Sequence, residues 1–301
     1  MAYLFETFKG WKAYCTKNNI TLAESVIEYE TTQKGSLEKD IYAGLAKAYG
    51  VMKEAIKTGF TQDMTSNSGM INNGAKKVYN YPKPVLSKEF QNLISRALSA
   101  KEVNSCMGRV VAAPTAGASG IIPGVLYTLQ ELHSLSDQEI YDGMLVAAGI
   151  ALIIEHTSSL AGAVGGCQAE TGSAAAMAAG AIVYCLQGDN DEVFNAVGIT
   201  IQCMLGLVCD PVAGLVEIPC VVRNASAAAI ANSSAQIALA GLDAVIPADE
   251  CVEAMAEVAE SMETRYKETA LGGLAATKTA QRISKRVLIQ DIDILPDQNH
   301  Y

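Results

Sequence analysis

Thr171-Gly172-Ser173-Ala174-Ala175-Ala176-Met177-Ala178-Ala179-Gly180-Ala181-Ile182-Val183-Tyr184-Cys185-Leu186 contains no charged side chain and is built mostly from Ala and Gly. A helix apolar on every side belongs in a protein core or in a membrane. Ala and Gly transfer weakly into lipid, so the charge-free run between Glu170 and Asp189 falls short of the roughly 20 strongly apolar residues of a membrane span. The stretch is therefore expected to be a buried helix, with no membrane partner.

The rest of the chain agrees with a helical core. Half of the 301 residues are hydrophobic but only 6% are aromatic, which favours closely packed helices over an aromatic-rich sandwich. Helical spacing predicts elements over Leu4–Thr16, Leu22–Thr32 and Leu37–Thr58, the last capped by Ser36 and closed by Gly59. Further helices are expected from Ser87 to Ala100, up to Leu132, and from a Ser136-Asp137-Gln138-Glu139 capping box to His156. Others follow over Asp191–Gly206, Val222–Leu242 and Ala248–Met262. No alternating β-branched run of strand length is found, so the fold class is all-α, with buried Ala/Gly-rich helices and cluster-binding loops. The expected organisation is a helical segment over residues 1–60, a helical catalytic domain over 61–285 and a tail over 286–301.

Charge narrows the function. A net charge of −10 repels phosphate backbones and argues against a nucleic-acid partner. Glu6 and Trp11 interrupt the apolar run that a signal peptide would need, so a cytoplasmic location is expected. In that compartment the eight cysteines are thiols or metal ligands rather than disulfides. Cys185, Cys203 and Cys251 fall inside helical patterns, where packing explains them. Cys167 stands after Gly165-Gly166 at the start of a buried helix, where the dipole favours a thiolate. Cys209 and Cys220 stand beside Pro211 and Pro219, again at helix edges. Three such thiolates suit a cubane cluster with one open iron better than a closed zinc site, although the spacings match no short metal motif. On residues alone, a cluster, a zinc site and ordinary buried thiols all stay open.

Two strings change this reading. Cys167-Gln168-Ala169-Glu170-Thr171-Gly172-Ser173, and Leu207-Val208-Cys209-Asp210-Pro211-Val212-Ala213-Gly214-Leu215-Val216-Glu217-Ile218-Pro219-Cys220 followed by Arg223-Asn224-Ala225, resemble the signature of the bacterial iron-sulfur L-serine dehydratases. The similarity extends to Glu102–Gly124 and Gly272–Thr277 and covers about three quarters of the chain. The resemblance implies a [4Fe-4S] cluster on Cys167, Cys209 and Cys220, an all-helical catalytic domain, and conversion of L-serine to pyruvate and ammonia. Single-chain members carry a further α/β domain with a Ser-Ser-His-Thr stretch. None is found here, which points to the alpha chain of the two-chain form, with a separate beta chain as partner. Some single-chain members also cap the open iron with a Cys near the C-terminus, whereas this tail reads Asn299-His300-Tyr301.

For the chemistry, an open iron acts as a Lewis acid for the departing hydroxyl, and a base must take the α-hydrogen. His156, with Glu155 or Glu170 nearby in sequence, is the candidate base; a helix-capping role for it and a His from the beta chain are the alternatives. The loop of Thr65, Ser66, Asn67, Ser68 and Gly69 is the candidate site for the substrate carboxylate, and Glu170 or Asp210 for its ammonium. No Gly-rich phosphate cup stands beside a Lys, which argues against pyridoxal phosphate. The rival functions are an L-cysteine desulfidase using the same cluster chemistry and a non-catalytic helical scaffold.

Overall fold

The computed structural model describes residues 6–293. In chain order the helices are α1 (Phe8–Asn18), α2 (Leu22–Lys34), α3 (Glu38–Thr61), α4 (Gly74–Tyr79), α5 (Lys88–Ser105), α6 (Ile121–His133) and α7 (Asp137–Thr157). They continue as α8 (Gly162–Cys167), α9 (Ser173–Cys185), α10 (Asn190–Met204), α11 (Cys220–Leu239), α12 (Ala248–Ser261) and α13 (Lys278–Asp293). Among the described residues the only β pairing is two isolated bridges, Thr65 with Asn72 and Cys209 with Lys267. The all-α expectation holds.

The axis of the core is α9. Every residue from Ser173 to Val183 is buried, and the helix packs against α6, α7, α10 and α11. Small side chains let these neighbours approach closely and interdigitate at crystal-like density. On α7, Ile140, Ile150, Ile153 and Ile154 are fully buried, each contributing about 1.5–3 kcal/mol of hydrophobic stabilisation. Among the described residues α7 is also the one helix long and apolar enough to cross a membrane, and 56% of that window is buried within the fold. Its start follows the expected capping box, with Ser136 and Glu139 each bonding the other's backbone. The N-terminal helices share this core: Trp11 is fully buried, stacks near Phe194 of α10 and donates its indole N–H to Ser25 Oγ at 2.6 Å.

Several boundaries differ from expectation. The N-cap of α3 is Leu37, not Ser36, and makes no side-chain cap bond. Gly59 does not close α3 but lies inside it, where α5 crosses; a Cβ there would stand 2.3 Å from Ser99 Oγ. The first helix begins at Phe8 rather than Leu4, a position outside the described residues. Helix α5 runs five residues past Ala100, which carries Lys101, Asn104 and Ser105 into the fold. Residues 286–293 continue α13; residues 294–301, with His300, lie outside the described ones. Cys203 is exposed, so packing does not explain it, whereas Cys185 and Cys251 are buried.

Candidate metal centre and its cavity

A backbone break sets the position of Cys167. Gly166 adopts φ +75°, and a Cβ there would meet Met262 Sδ at 2.7 Å and Leu207 O at 3.0 Å. Only glycine takes that turn without strain. Immediately afterwards the chain re-enters a helical path through a π-helical turn, Gln168–Gly172, that leads into α9. Gln168 pins this turn: its backbone N–H reaches Leu207 O at 2.9 Å, its side-chain amide donates to Met255 O at 2.9 Å, and its carbonyl oxygen accepts from Gly206 N–H at 2.8 Å.

The Cys209 loop is fixed from the far side. Cys209 N–H donates to Tyr266 O at 2.8 Å, and Glu268 N–H donates back to Cys209 O at 3.0 Å. Asp210 accepts from Leu274 N–H at 2.6 Å and pairs with Arg223 at 2.8 Å. Arg223, on α11, also donates to Val208 O at 2.9 Å and to Cys167 Sγ at 3.4 Å. Cys220 is the first residue of α11, and its carbonyl is held by Asn224, which also binds Gly117 O and Gly120 N–H.

These restraints bring the Sγ atoms of Cys167 and Cys209 and a carboxylate oxygen of Glu170 within 4.8 Å of one another, all buried. Cys220 is buried outside that group yet close enough for the charges of Cys167 and Lys101 to act on it. Cys209 gives its proton to the hydrogen bond with Cys167, which lowers the Cys167 thiol below its ordinary range; Arg223 adds to this and burial opposes it. The same shared proton, followed by burial, raises Cys209. Burial, then the neighbouring Cys167, pushes Cys220 up to about 12. Soft sulfur donors of this kind, with one thiolate already favoured, fit an iron or iron-sulfur group, whose positive charge would release the remaining protons.

A cavity of about 560 Å³ opens beside the sulfurs, with Asn104, Ser105, Thr115, Glu170, Glu217 and Glu268 among its lining residues. The Thr115 hydroxyl donates to Glu170, and burial raises the Glu170 carboxyl above its ordinary range. Gly162 marks the point of convergence: a Cβ there would lie 3.3 Å from Cys209 Sγ and 3.6 Å from both Glu170 Oε2 and Glu268 Oε2. Ser66 and Ser68 are buried and donate to Glu217 Oε2 at 2.7 and 2.6 Å, while Thr65, Asn67 and Gly69 are exposed. The serine loop is held in turn by Arg286 of α13, which donates to Ser68 O at 3.0 Å.

His156 is not part of this arrangement. It sits in the last turn of α7, 3.9 Å from Glu6 Oε2, and does not line the cavity. Asp210, engaged by Arg223 and Leu274, is tied into the loop scaffold rather than facing the cavity. The sequence reading missed Lys101 and Glu268. Lys101 had a signal: it follows Leu93 and Ala97 at four-residue steps, on the buried stripe of α5.

Comparison with known proteins identifies the class. The family described as "Serine dehydratase alpha chain" matches residues 17–275, and the chain belongs to this family. It is 42% identical over 277 residues to the "L-serine dehydratase, alpha chain" of Peptoniphilus asaccharolyticus, covering 91% of this chain and 95% of that one. It is 36% identical over 287 residues to the "Probable L-serine dehydratase, alpha chain" of Bacillus subtilis, covering 94% and 95% respectively. The "L-serine dehydratase" of Streptomyces coelicolor is 35% identical over 283 residues, which are 91% of this chain but 61% of that longer protein.

Proposed function

We propose that this chain is the catalytic subunit of a cytoplasmic L-serine ammonia-lyase that holds a [4Fe-4S] cluster on Cys167, Cys209 and Cys220 and works with a beta chain. The observation that carries the reading is the buried Cys167–Glu170–Cys209 group, within 4.8 Å, whose Glu170 also lines a cavity large enough for an amino acid. When bound, the cluster supplies a Lewis-acidic iron for the serine hydroxyl. The chain's own residues supply the rest. Glu170, oriented by Thr115 and raised by burial, takes the α-hydrogen, a task the position of His156 does not favour. Glu268 faces the substrate ammonium from the rim. The Thr65–Gly69 loop receives the substrate carboxylate. Its buried hydroxyls already bind one carboxylate, that of Glu217, and serine would reach them by exchange with it. The product of elimination, an enamine, tautomerises and hydrolyses without further help. The length that the Streptomyces relative has beyond the match leaves room for a second unit, which supports a beta-chain partner.

The test is anaerobic reconstitution with iron and sulfide, followed by iron analysis and turnover on serine and on cysteine, with and without a beta chain. Iron uptake that is abolished in Cys167→Ala, Cys209→Ala and Cys220→Ala but kept in Cys185→Ala, with pyruvate formed from serine, is the expected result. Equal iron in all four variants, or preferential sulfide release from cysteine, overturns it.

A further inference from the structure

Lys101 is fully buried, at 0% exposure, one layer behind the cavity wall. Its ammonium donates to Asn104 Oδ1 at 2.5 Å, to Ser105 Oγ at 3.4 Å and to Val216 O at 2.8 Å. All three acceptors are neutral, and no ion pair among the described residues includes Lys101. Lysines are almost never buried to this extent without a counter-charge, because desolvating an ammonium is costly. The acidic groups close enough to act on it are Cys220, Glu170 and Glu217. None of the three forms an ion pair with Lys101, and Glu217 is already engaged by Ser66 and Ser68. Arg223 differs, since Asp210 shares its charge.

A cubane core held by three thiolates is a net anion. Val216, whose carbonyl Lys101 grips, lies in the segment between Cys209 and Cys220. We propose that Lys101 is a fixed positive charge that compensates the cluster on its Cys220 side and raises its reduction potential, acting as a positioning residue that also tethers the ligand loop. This rests on the cluster reading given above. Burial lowers the Lys101 ammonium to about 8, which leaves it charged at neutral pH.

The experiment compares the wild-type chain with Lys101→Arg, Lys101→Gln and Lys101→Met, each reconstituted anaerobically. Iron per chain is measured, and the midpoint potential is read from a dithionite titration followed by electron paramagnetic resonance. Lys101→Arg is expected to match the wild type, while Lys101→Gln and Lys101→Met shift to more negative potential, because a nearby positive charge stabilises the added electron. Loss of iron in the two neutral variants, with circular dichroism intact and iron kept in Lys101→Arg, also supports the proposal. Should Lys101→Met fail to fold, Lys101→Gln, which keeps a hydrogen-bond donor without the charge, carries the comparison. A potential unchanged in the neutral variants overturns the proposal and leaves the cluster standing. A wild-type chain that takes up no iron sinks the cluster reading and this inference together.

Discussion

Arg223 Nη1 stands 3.4 Å from Cys167 Sγ, and the same guanidinium pairs with Asp210, the residue after Cys209. One planar side chain thus holds two sulfur-bearing loops in register. Its fork geometry is what makes this possible, and an ammonium of similar charge does not reproduce it.

Replacing Arg223 is therefore expected to weaken iron binding at the proposed centre without removing a ligand. Arg223→Gln loses the charge and Arg223→Lys the fork, and residues that support metal ligands typically cost about 10–100-fold in affinity when changed. Iron release to a chelator, timed in both variants against the wild type, checks this. Release at the wild-type rate would show that Arg223 only packs.

Thiol chemistry separates the structural cysteines from the rest. Burial pushes Cys185 up to about 12, so its thiol stays neutral across the ordinary range and gains reactivity only as pH climbs toward that value. Cys203 is exposed. Iodoacetamide at pH 8 should mark Cys203 in the native chain and spare Cys185 until denaturant is added, as peptide mass mapping would reveal. Early labelling of Cys185 contradicts the packing described.

Glu170 gives a pH signature. Its folded carboxyl is raised by burial, so the folded state holds the proton to higher pH than the unfolded chain does. Both states are protonated at low pH, and the penalty for a buried carboxylate grows as pH rises through the folded value. Metal-free Glu170→Gln should therefore gain stability relative to metal-free wild type as pH increases from acid to neutral, and the reconstituted variant should lose serine turnover. Urea melts at several pH values measure the difference, and a gap independent of pH would refute it.

Gly59 is a test of packing. A methyl placed 2.3 Å from Ser99 Oγ and 2.7 Å from Ser99 O forces α3 away from α5. Gly59→Ala is expected to destabilise by about 1–3 kcal/mol despite its better helix propensity. Unchanged or higher thermal stability would mean that the two helices separate freely.

Much of this was legible in the residues. The run through Ala174–Ala181 could only be a buried helix, and Ser136 with Glu139 announced the start of α7 because capping is local chemistry. The three cysteines stood out by lying at helix edges, although their distance from one another in sequence hid which atoms converge. Lys101 was obscured because a lysine followed by Asn104 and Ser105 looks like a solvated helix end. Only the distant Val216 carbonyl shows that this end is buried. His156 was chosen for its nearness to Cys167 along the chain. Beyond α7, Ser158 departs from helical geometry, and the imidazole is left facing Glu6. Glu268 carried no local signal: the backbone bond to Cys209 that places it joins segments far apart in the sequence.

The bond from Arg286 to Ser68 has a bearing on biosynthesis. Ser68 grips Glu217, which precedes Cys220 by one short loop, yet Arg286 lies 218 positions after Ser68. A nascent polypeptide can present Cys167, Cys209 and Cys220 at the ribosome exit while this latch is still untranslated. The serine loop therefore receives this restraint only after α13 has been released and docked, at the very end of synthesis.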